Sequence, residues 1–102
     1  MSAGPGLKLT LLTRAYCHLC DEMLAAVSPL AAARGAIVAV VDVDADPALE
    51  AAFGERVPVL FAGDPTEGVE LCHYHLDRAR VEQALDSLEK RPIEVASGAK
   101  FR

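Results

Sequence analysis

Residues 7–20 read Leu7-Lys8-Leu9-Thr10-Leu11-Leu12-Thr13-Arg14-Ala15-Tyr16-Cys17-His18-Leu19-Cys20. Leu7–Thr13 alternates imperfectly, is rich in Leu and Thr, and predicts a first strand. Arg14–Tyr16 is a short turn, and a helix is expected from about Cys17. The two cysteines therefore fall where a strand hands over to a helix. The first turn of a helix has unpaired N–H groups and a partial positive charge. A thiolate at Cys17 is stabilised there and its pKa moves towards neutral. Only the thiolate attacks disulfides. Cys20 is one turn on, close to the same face, and can reach the Cys17 sulfur. It also lies among apolar residues, so it is expected to be the more buried sulfur. This makes Cys17 the attacking group and Cys20 the resolving one. His18, when protonated, favours the anion, whereas Asp21 and Glu22 oppose it. A moderate depression of the Cys17 pKa is the expectation.

Outward from this motif, Leu19, Met23, Ala26 and Leu30 form one helical stripe, with Cys20, Leu24, Val27 and Ala31 beside it. Pro29 is expected to bend or interrupt the helix, and Gly35 to stop it. Ala36–Val43 is β-branched and nearly all apolar, which predicts a strand covered on both faces. Strand, helix and strand over this distance make a βαβ unit with a right-handed crossover. Asp46-Pro47 starts a short helix over about Pro47–Phe53, ended by Gly54. Val57–Ala62 reads as a third strand and Val69–Cys72 as a fourth, joined by the turn-rich Gly63–Gly68. Asp77 caps a last helix carrying Val81, Ala84, Leu85 and Leu88 on one face. The order is β-α-β-α-β-β-α, in one domain over 7–90. The pattern fades after Pro92, and 91–102 is read as a tail, loose over Ile93–Arg102.

The chain has 102 residues, 52% of them hydrophobic, and no Trp, so its core must be aliphatic. The net charge is −5, and the ten basic residues form no run, which argues against nucleic acid and anionic membrane as partners. No apolar run reaches membrane-spanning length, and Met1–Gly6 lacks the pattern of a signal peptide. Three cysteines, Cys17, Cys20 and Cys72, do not make a secreted disulfide framework. A cytoplasmic location and a monomeric state are expected.

Arg56-Val57-Pro58-Val59 holds the second informative feature. A Pro entering an apolar strand lacks the ladder donor. Either it is an ordinary trans Pro at a strand start, or the Val57–Pro58 peptide is cis, faces the site, and leaves the Val57 backbone free to pair with a substrate chain.

Thr13-Arg14-Ala15-Tyr16-Cys17-His18-Leu19-Cys20, Val41-Asp42-Val43-Asp44 and Val57-Pro58-Val59-Leu60, followed by a hairpin and a last helix, resemble the glutaredoxin branch of the thioredoxin superfamily. The closest likeness is to short bacterial glutaredoxin-like proteins, and it covers about Leu7–Leu88. The resemblance implies a thioredoxin-like α/β fold, a four-stranded mixed sheet with helices on both faces. It implies a thiol–disulfide oxidoreductase with Cys17 as nucleophile, Cys20 as resolving thiol and a cis Pro58. It further implies a substrate- or glutathione-binding set of Arg14, Tyr16, His18, Val57, Pro58 and Asp77. The partner would be a disulfide-containing protein or a glutathione mixed disulfide, with glutathione as co-substrate and no resident cofactor or metal. The Gly-Gly pair that the family carries after the fourth strand is replaced here by Leu71-Cys72-His73-Tyr74-His75-Leu76, and the usual Pro-Tyr between the cysteines by His18-Leu19.

Cys72 has two readings. If Ala62 faces Gly68 across the hairpin, counting back sets Pro58 opposite Cys72, near the cysteine pair, as a third thiol. Otherwise it is a small buried hydrophobe. Cys17, Cys20 and Cys72 with His73 and His75 also allow a metal-binding module, although the spacing is not a strong zinc pattern. A redox-inert adaptor on the same fold is the third reading.

Overall fold

The computed structural model describes residues 8–66 and 68–97, with side chains described through Ser87. Leu7, the expected start of the first strand, the side chain of Leu88 and residues 98–102 of the tail lie outside them. The elements are β1 (Lys8–Thr13), α1 (His18–Ala33), β2 (Ile37–Asp42), a 3-10 turn (Val43–Ala45), α2 (Pro47–Phe53), β3 (Val59–Ala62), β4 (Val69–His73) and α3 (Arg78–Ser97). This is the expected order. The sheet runs β2-β1-β3-β4; β1 pairs parallel with β2, and β3 pairs antiparallel with both β1 and β4.

Side chains alternate across the strands and divide the core in two. Leu9 and Leu11 of β1, Leu60 of β3 and Leu71 of β4 pack with Met23, Val27 and Ala31 of α1 and with Val81 and Leu85 of α3. Leu12 of β1 and Val59 and Phe61 of β3 point the other way, to Val43, Val57 and Cys20, with Leu49 and Phe53 of α2 packed against them. The rings of Phe53 and Phe61 meet edge to face at 5.4 Å. Each fully buried Leu or Val contributes about 1.5–3 kcal/mol of transfer free energy.

The buried stripe of α1 is Cys20, Met23, Val27 and Ala31. Met23 thus leaves the stripe of Leu19, Ala26 and Leu30 and joins the neighbouring one, because the buried face follows the helix's contact with the sheet. Pro29 does not interrupt α1. Proline cannot donate to the carbonyl four residues back, but Ala25 and Pro29 are both exposed, so water can serve that carbonyl. The helix ends in a Schellman arrangement: Gly35 N–H donates to the Ala32 carbonyl at 3.2 Å and Ala36 N–H to the Ala31 carbonyl at 2.9 Å. Gly35 has φ 68°, which only glycine adopts without cost. Asp46 caps α2, its Oδ1 accepting from Ala48 N–H at 3.0 Å, with Pro47 at the first helical position. Helix α3 continues through Pro92 to Ser97, so residues 93–97 are helical where a loose tail over Ile93–Arg102 is expected from the sequence.

Two further expectations, on the sheet, need correction. β2 is not covered on both faces: it is an edge strand, with Ile37 63% and Val40 51% exposed. Of β2, Val41 packs against the cluster that Leu49 and Phe53 of α2 also join. The β3–β4 register is also different. Ala62 faces Val69, and an irregularity between Leu60 and Phe61 sets Cys72 opposite Leu60 rather than Pro58. Leu71 is the extra residue, buried in the core between the partners of Phe61 and Leu60. Among the described residues, no helix is long and apolar enough to cross a membrane.

Candidate functional site: a cysteine pair at a helix start

Cys17 is the N-cap of α1. Its backbone is extended, and its sulfur accepts from the Cys20 N–H at 3.1 Å. A sulfur here takes the place that Ser or Asp fills at other helix starts: it satisfies one of the orphan donors of the first turn. Cys17 and Cys20 are joined by a disulfide, with Cα atoms 5.2 Å apart, well within the range a relaxed bridge needs. Cys20 is 3% exposed in the core on the α2 side, whereas Cys17 lies only partly buried at its rim. The asymmetry expected from the sequence is present: an accessible sulfur at the helix tip and a covered one a turn further in.

The residues around Cys17 are held differently from one another. Tyr16 is fully exposed and has φ 60°, a left-handed conformation that costs a non-glycine residue energy. This twist turns the chain from β1 into α1. His18 is exposed, 3.3 Å from the Glu22 carboxylate one turn on. Asp21 stands in the first turn of α1.

Arg14, just before this turn, is engaged on all sides. Its Nη2 lies 2.7 Å from Asp44 and 3.2 Å from Glu50, its Nε 3.4 Å from Asp44, and its Nη1 donates to the Gly54 carbonyl at 2.9 Å. Asp44 foremost, then Glu50, push the Arg14 pKa up, and Arg14 in return holds the Asp44 carboxyl below its usual value. A Cβ at Gly54 would stand 2.6 Å from the Glu50 carbonyl oxygen and 2.7 Å from its carboxylate. Glycine is what lets Glu50 fold back towards Arg14.

The Val57–Pro58 peptide is cis. Val57 is buried beside Cys20, yet neither its N–H nor its C=O bonds to another described residue. Such groups in native proteins find a partner in nearly every case. Pro58 is fully buried, and its carbonyl accepts the Tyr74 N–H at 2.9 Å. Tyr74, with φ 65°, bends the β4–α3 loop and donates its hydroxyl to the Glu55 carbonyl at 2.9 Å. The sequence holds no signal for this role beyond the place of Tyr74 in the stretch that replaces the resembled family's Gly-Gly pair. Arg56 pairs with Glu70 and lies 5.6 Å over the Phe53 ring.

Asp77 caps α3 through Arg80 N–H at 3.2 Å. It also touches Cys72 through its backbone, and burial, the larger effect, pushes the Cys72 thiol up. Cys72 packs against the α1–α3 side of the core, across the sheet from the cluster that holds Cys17 and Cys20. The structure therefore brings together Cys17, Cys20 and Val57, and groups Cys72 with Asp77 instead. Among the described residues, no group of three or more His, Cys, Asp and Glu side chains is arranged to hold a metal ion.

A family profile described as glutaredoxin-like domain (DUF836) matches residues 8–86. No curated protein matches the chain. Among solved structures, protein Ne2328 from Nitrosomonas europaea is 35% identical, covers 81% of this chain and 95% of its own, and superposes with a TM-score of 0.66. Protein XcR50 from X. campestris is 43% identical over 78% of this chain and 96% of its own, with a TM-score of 0.57. Thioredoxin 1 from Thermosipho africanus, 19% identical over 89% of this chain and 99% of its own, shares the fold with a TM-score of 0.56. With a profile match across most of its length and a cysteine pair close enough to form a disulfide at the start of α1, the chain belongs to the glutaredoxin-like domain (DUF836) family, on the thioredoxin fold.

Proposed function

We propose that the protein is a thiol–disulfide oxidoreductase acting on protein or glutathione mixed disulfides. The observation that carries this reading is the unequal cysteine pair: Cys17 caps α1 at the surface and Cys20 lies beneath it, within bonding distance. In the reduced protein the Cys20 N–H, which donates to the Cys17 sulfur, and the positive end of the α1 dipole act on that sulfur. They stabilise its anion without having to reorganise.

The Cys17 thiolate attacks one sulfur of the partner's disulfide. A Cys17–partner S–S bond forms, the original bond breaks, and the second partner thiol leaves with the electron pair and takes up a proton. Cys20, deprotonated, then attacks the Cys17 sulfur. The Cys17–Cys20 disulfide forms and the first partner thiol is released, so the partner gains two electrons and two protons in all. A thiol reductant such as glutathione, or the dithiol of a reductase, restores the pair. The unpaired peptide groups of Val57 support this reading as well, since they offer an extended partner chain two backbone hydrogen bonds beside the reacting sulfurs.

A Cys20→Ser variant tests the proposal. Incubated with a glutathionylated peptide, it should accumulate a mixed disulfide at Cys17 that dithiothreitol releases and that Cys17→Ser does not form. A Cys20→Ser protein that stays unmodified under these conditions refutes the exchange reading.

A further inference from the structure

We propose that Arg14 is a positioning residue: its guanidinium, held by Asp44, Glu50 and the Gly54 carbonyl, fixes the segment that presents Val57 to an incoming disulfide, and does not dock a partner's carboxylate. The inference rests on the exchange reading above and concerns how that site holds its partner.

Arginine has five N–H donors, and the four contacts of Arg14 occupy four of them. Its charge already faces two carboxylates, so an approaching anion meets a corner with a net negative balance. The acceptors come from three places: Asp44 from the turn after β2, Glu50 from α2, and Gly54 from the end of α2. Arg14 therefore ties the β1–α1 loop, one residue removed from Tyr16, to the start of the stretch that leads into Pro58.

The rest of that stretch is fastened as well. Glu55 is held by the Tyr74 hydroxyl, Arg56 by Glu70 and by its own N–H to the Phe53 carbonyl at 2.8 Å, and Pro58 by the Tyr74 N–H. Val57 alone among residues 54–58 has both peptide groups unbonded. Contacts on both sides of one free residue are what a backbone-pairing position needs, because a chain ordered beforehand loses less entropy when its partner binds. Arg14 makes the contact nearest the cysteine loop.

The test compares wild type, Arg14→Gln, Arg14→Lys and the double variant Asp44→Asn/Glu50→Gln, all checked for folding by circular dichroism. Two probes are used: a peptide carrying glutathione in mixed disulfide, and the same probe with the glutathione carboxylates esterified. For a positioning residue, Arg14→Gln raises KM for both probes by the same factor, about tenfold, short of the ~10²-fold that a 1 Å misplacement can cause. Arg14→Lys is no better, because a single ammonium cannot span three acceptors in a planar fork. The KM ratio of ester to acid is at or below one in wild type and rises above one only in the double variant, where Arg14 is freed. A wild-type preference for the acid that collapses in Arg14→Gln and survives in Arg14→Lys overturns the proposal. Amide hydrogen exchange at Gly54 and Arg56, whose N–H groups are bonded to the Glu50 and Phe53 carbonyls, supplies an arm independent of turnover: protection falls in Arg14→Gln if the residue is a clamp, and unchanged protection overturns it. Absence of wild-type reaction with either probe would instead refute the exchange reading, leaving the exchange-protection arm to decide the clamp.

Discussion

Reducing the Cys17–Cys20 bridge should lower stability, and the loss should shrink as pH rises. The bridge spans a sequence separation of three. Closing so short a loop in the unfolded chain removes entropy worth about 2 kcal/mol at 25 °C in the chain-entropy account. For a domain of this size, about 2 kcal/mol corresponds to roughly 8–16 °C in melting temperature. That is the full difference at low pH, where the thiols are protonated in the folded and unfolded reduced chains alike. If the α1 N-terminus lowers the Cys17 pKa on folding, the folded reduced protein ionises first as pH rises. Stability is then gained from the folded pKa up to the unfolded value near 8.5, at about 1.4 kcal/mol for each unit of depression. It is lost again as pH falls through the folded pKa. The oxidised protein has no thiol at position 17 and gains nothing, so the gap between the two forms narrows across that window. A depression of about one unit would reduce it from about 2 to roughly 0.6 kcal/mol. Urea unfolding of the oxidised protein and of the protein reduced with a phosphine, at steps from pH 5 to 9, measures the gap directly. Far-ultraviolet circular dichroism is the signal, because the chain has no Trp. The Cys20 thiol is likewise absent from the oxidised form; buried in the folded chain, it opposes the trend only as the unfolded thiol ionises near 8.5, so the steps up to pH 8 decide, and the groups common to both forms cancel. A gap that is constant over this range, or that widens, would show that the helix start does not favour the anion, and the chemical argument for Cys17 would fall with it.

Two further outcomes follow from the core. Leu11→Ala, at a fully buried position of β1, should cost about 2–5 kcal/mol in urea unfolding; a loss below 1 kcal/mol would mean the α1–α3 side can collapse around the gap. In a Cys17→Ser/Cys20→Ser protein, alkylation of Cys72 should have its pH midpoint above that of a free thiol, since burial disfavours the anion; a midpoint at or below the free value would contradict the packing of Cys72 against the core.

Much of this architecture could be read from local sequence, because local chemistry causes it. Asp46-Pro47 starts α2, Gly35 ends α1, and Asp77 caps α3 through contacts within three residues. Cys17 as N-cap belongs to the same class: a sulfur at the end of a strand–turn segment, before an apolar stripe. What failed to show depends on partners far along the chain. The edge position of β2 depends on strand order, and an apolar run such as Ile37–Val41 looks the same at an edge as in the middle of a sheet. The register of β3 and β4 turns on a hairpin turn one residue longer than expected, with Ala62 facing Val69, and on one extra residue, Leu71; a count along an ideal hairpin cannot anticipate either. Pro29 would interrupt α1 only if the carbonyl it orphans had no access to another partner, and Ala25 is exposed.

Arg14 shows why legibility stops at the site. Its position three residues before Cys17 carries the family resemblance, which places it in the substrate- or glutathione-binding set. Its partners Asp44 and Glu50 lie 30 and 36 residues away, brought near because the β1–α1–β2 crossover places the end of β2 next to the end of β1. The parallel register sets Thr13 beside Asp42, so the residues that follow each strand must meet at the same end of the sheet. Fold topology thus delivers two carboxylates to the one cation of the cysteine loop. Whether that cation recognises an anion or holds the backbone is decided by this neutralisation, which the identity of residue 14 does not reveal.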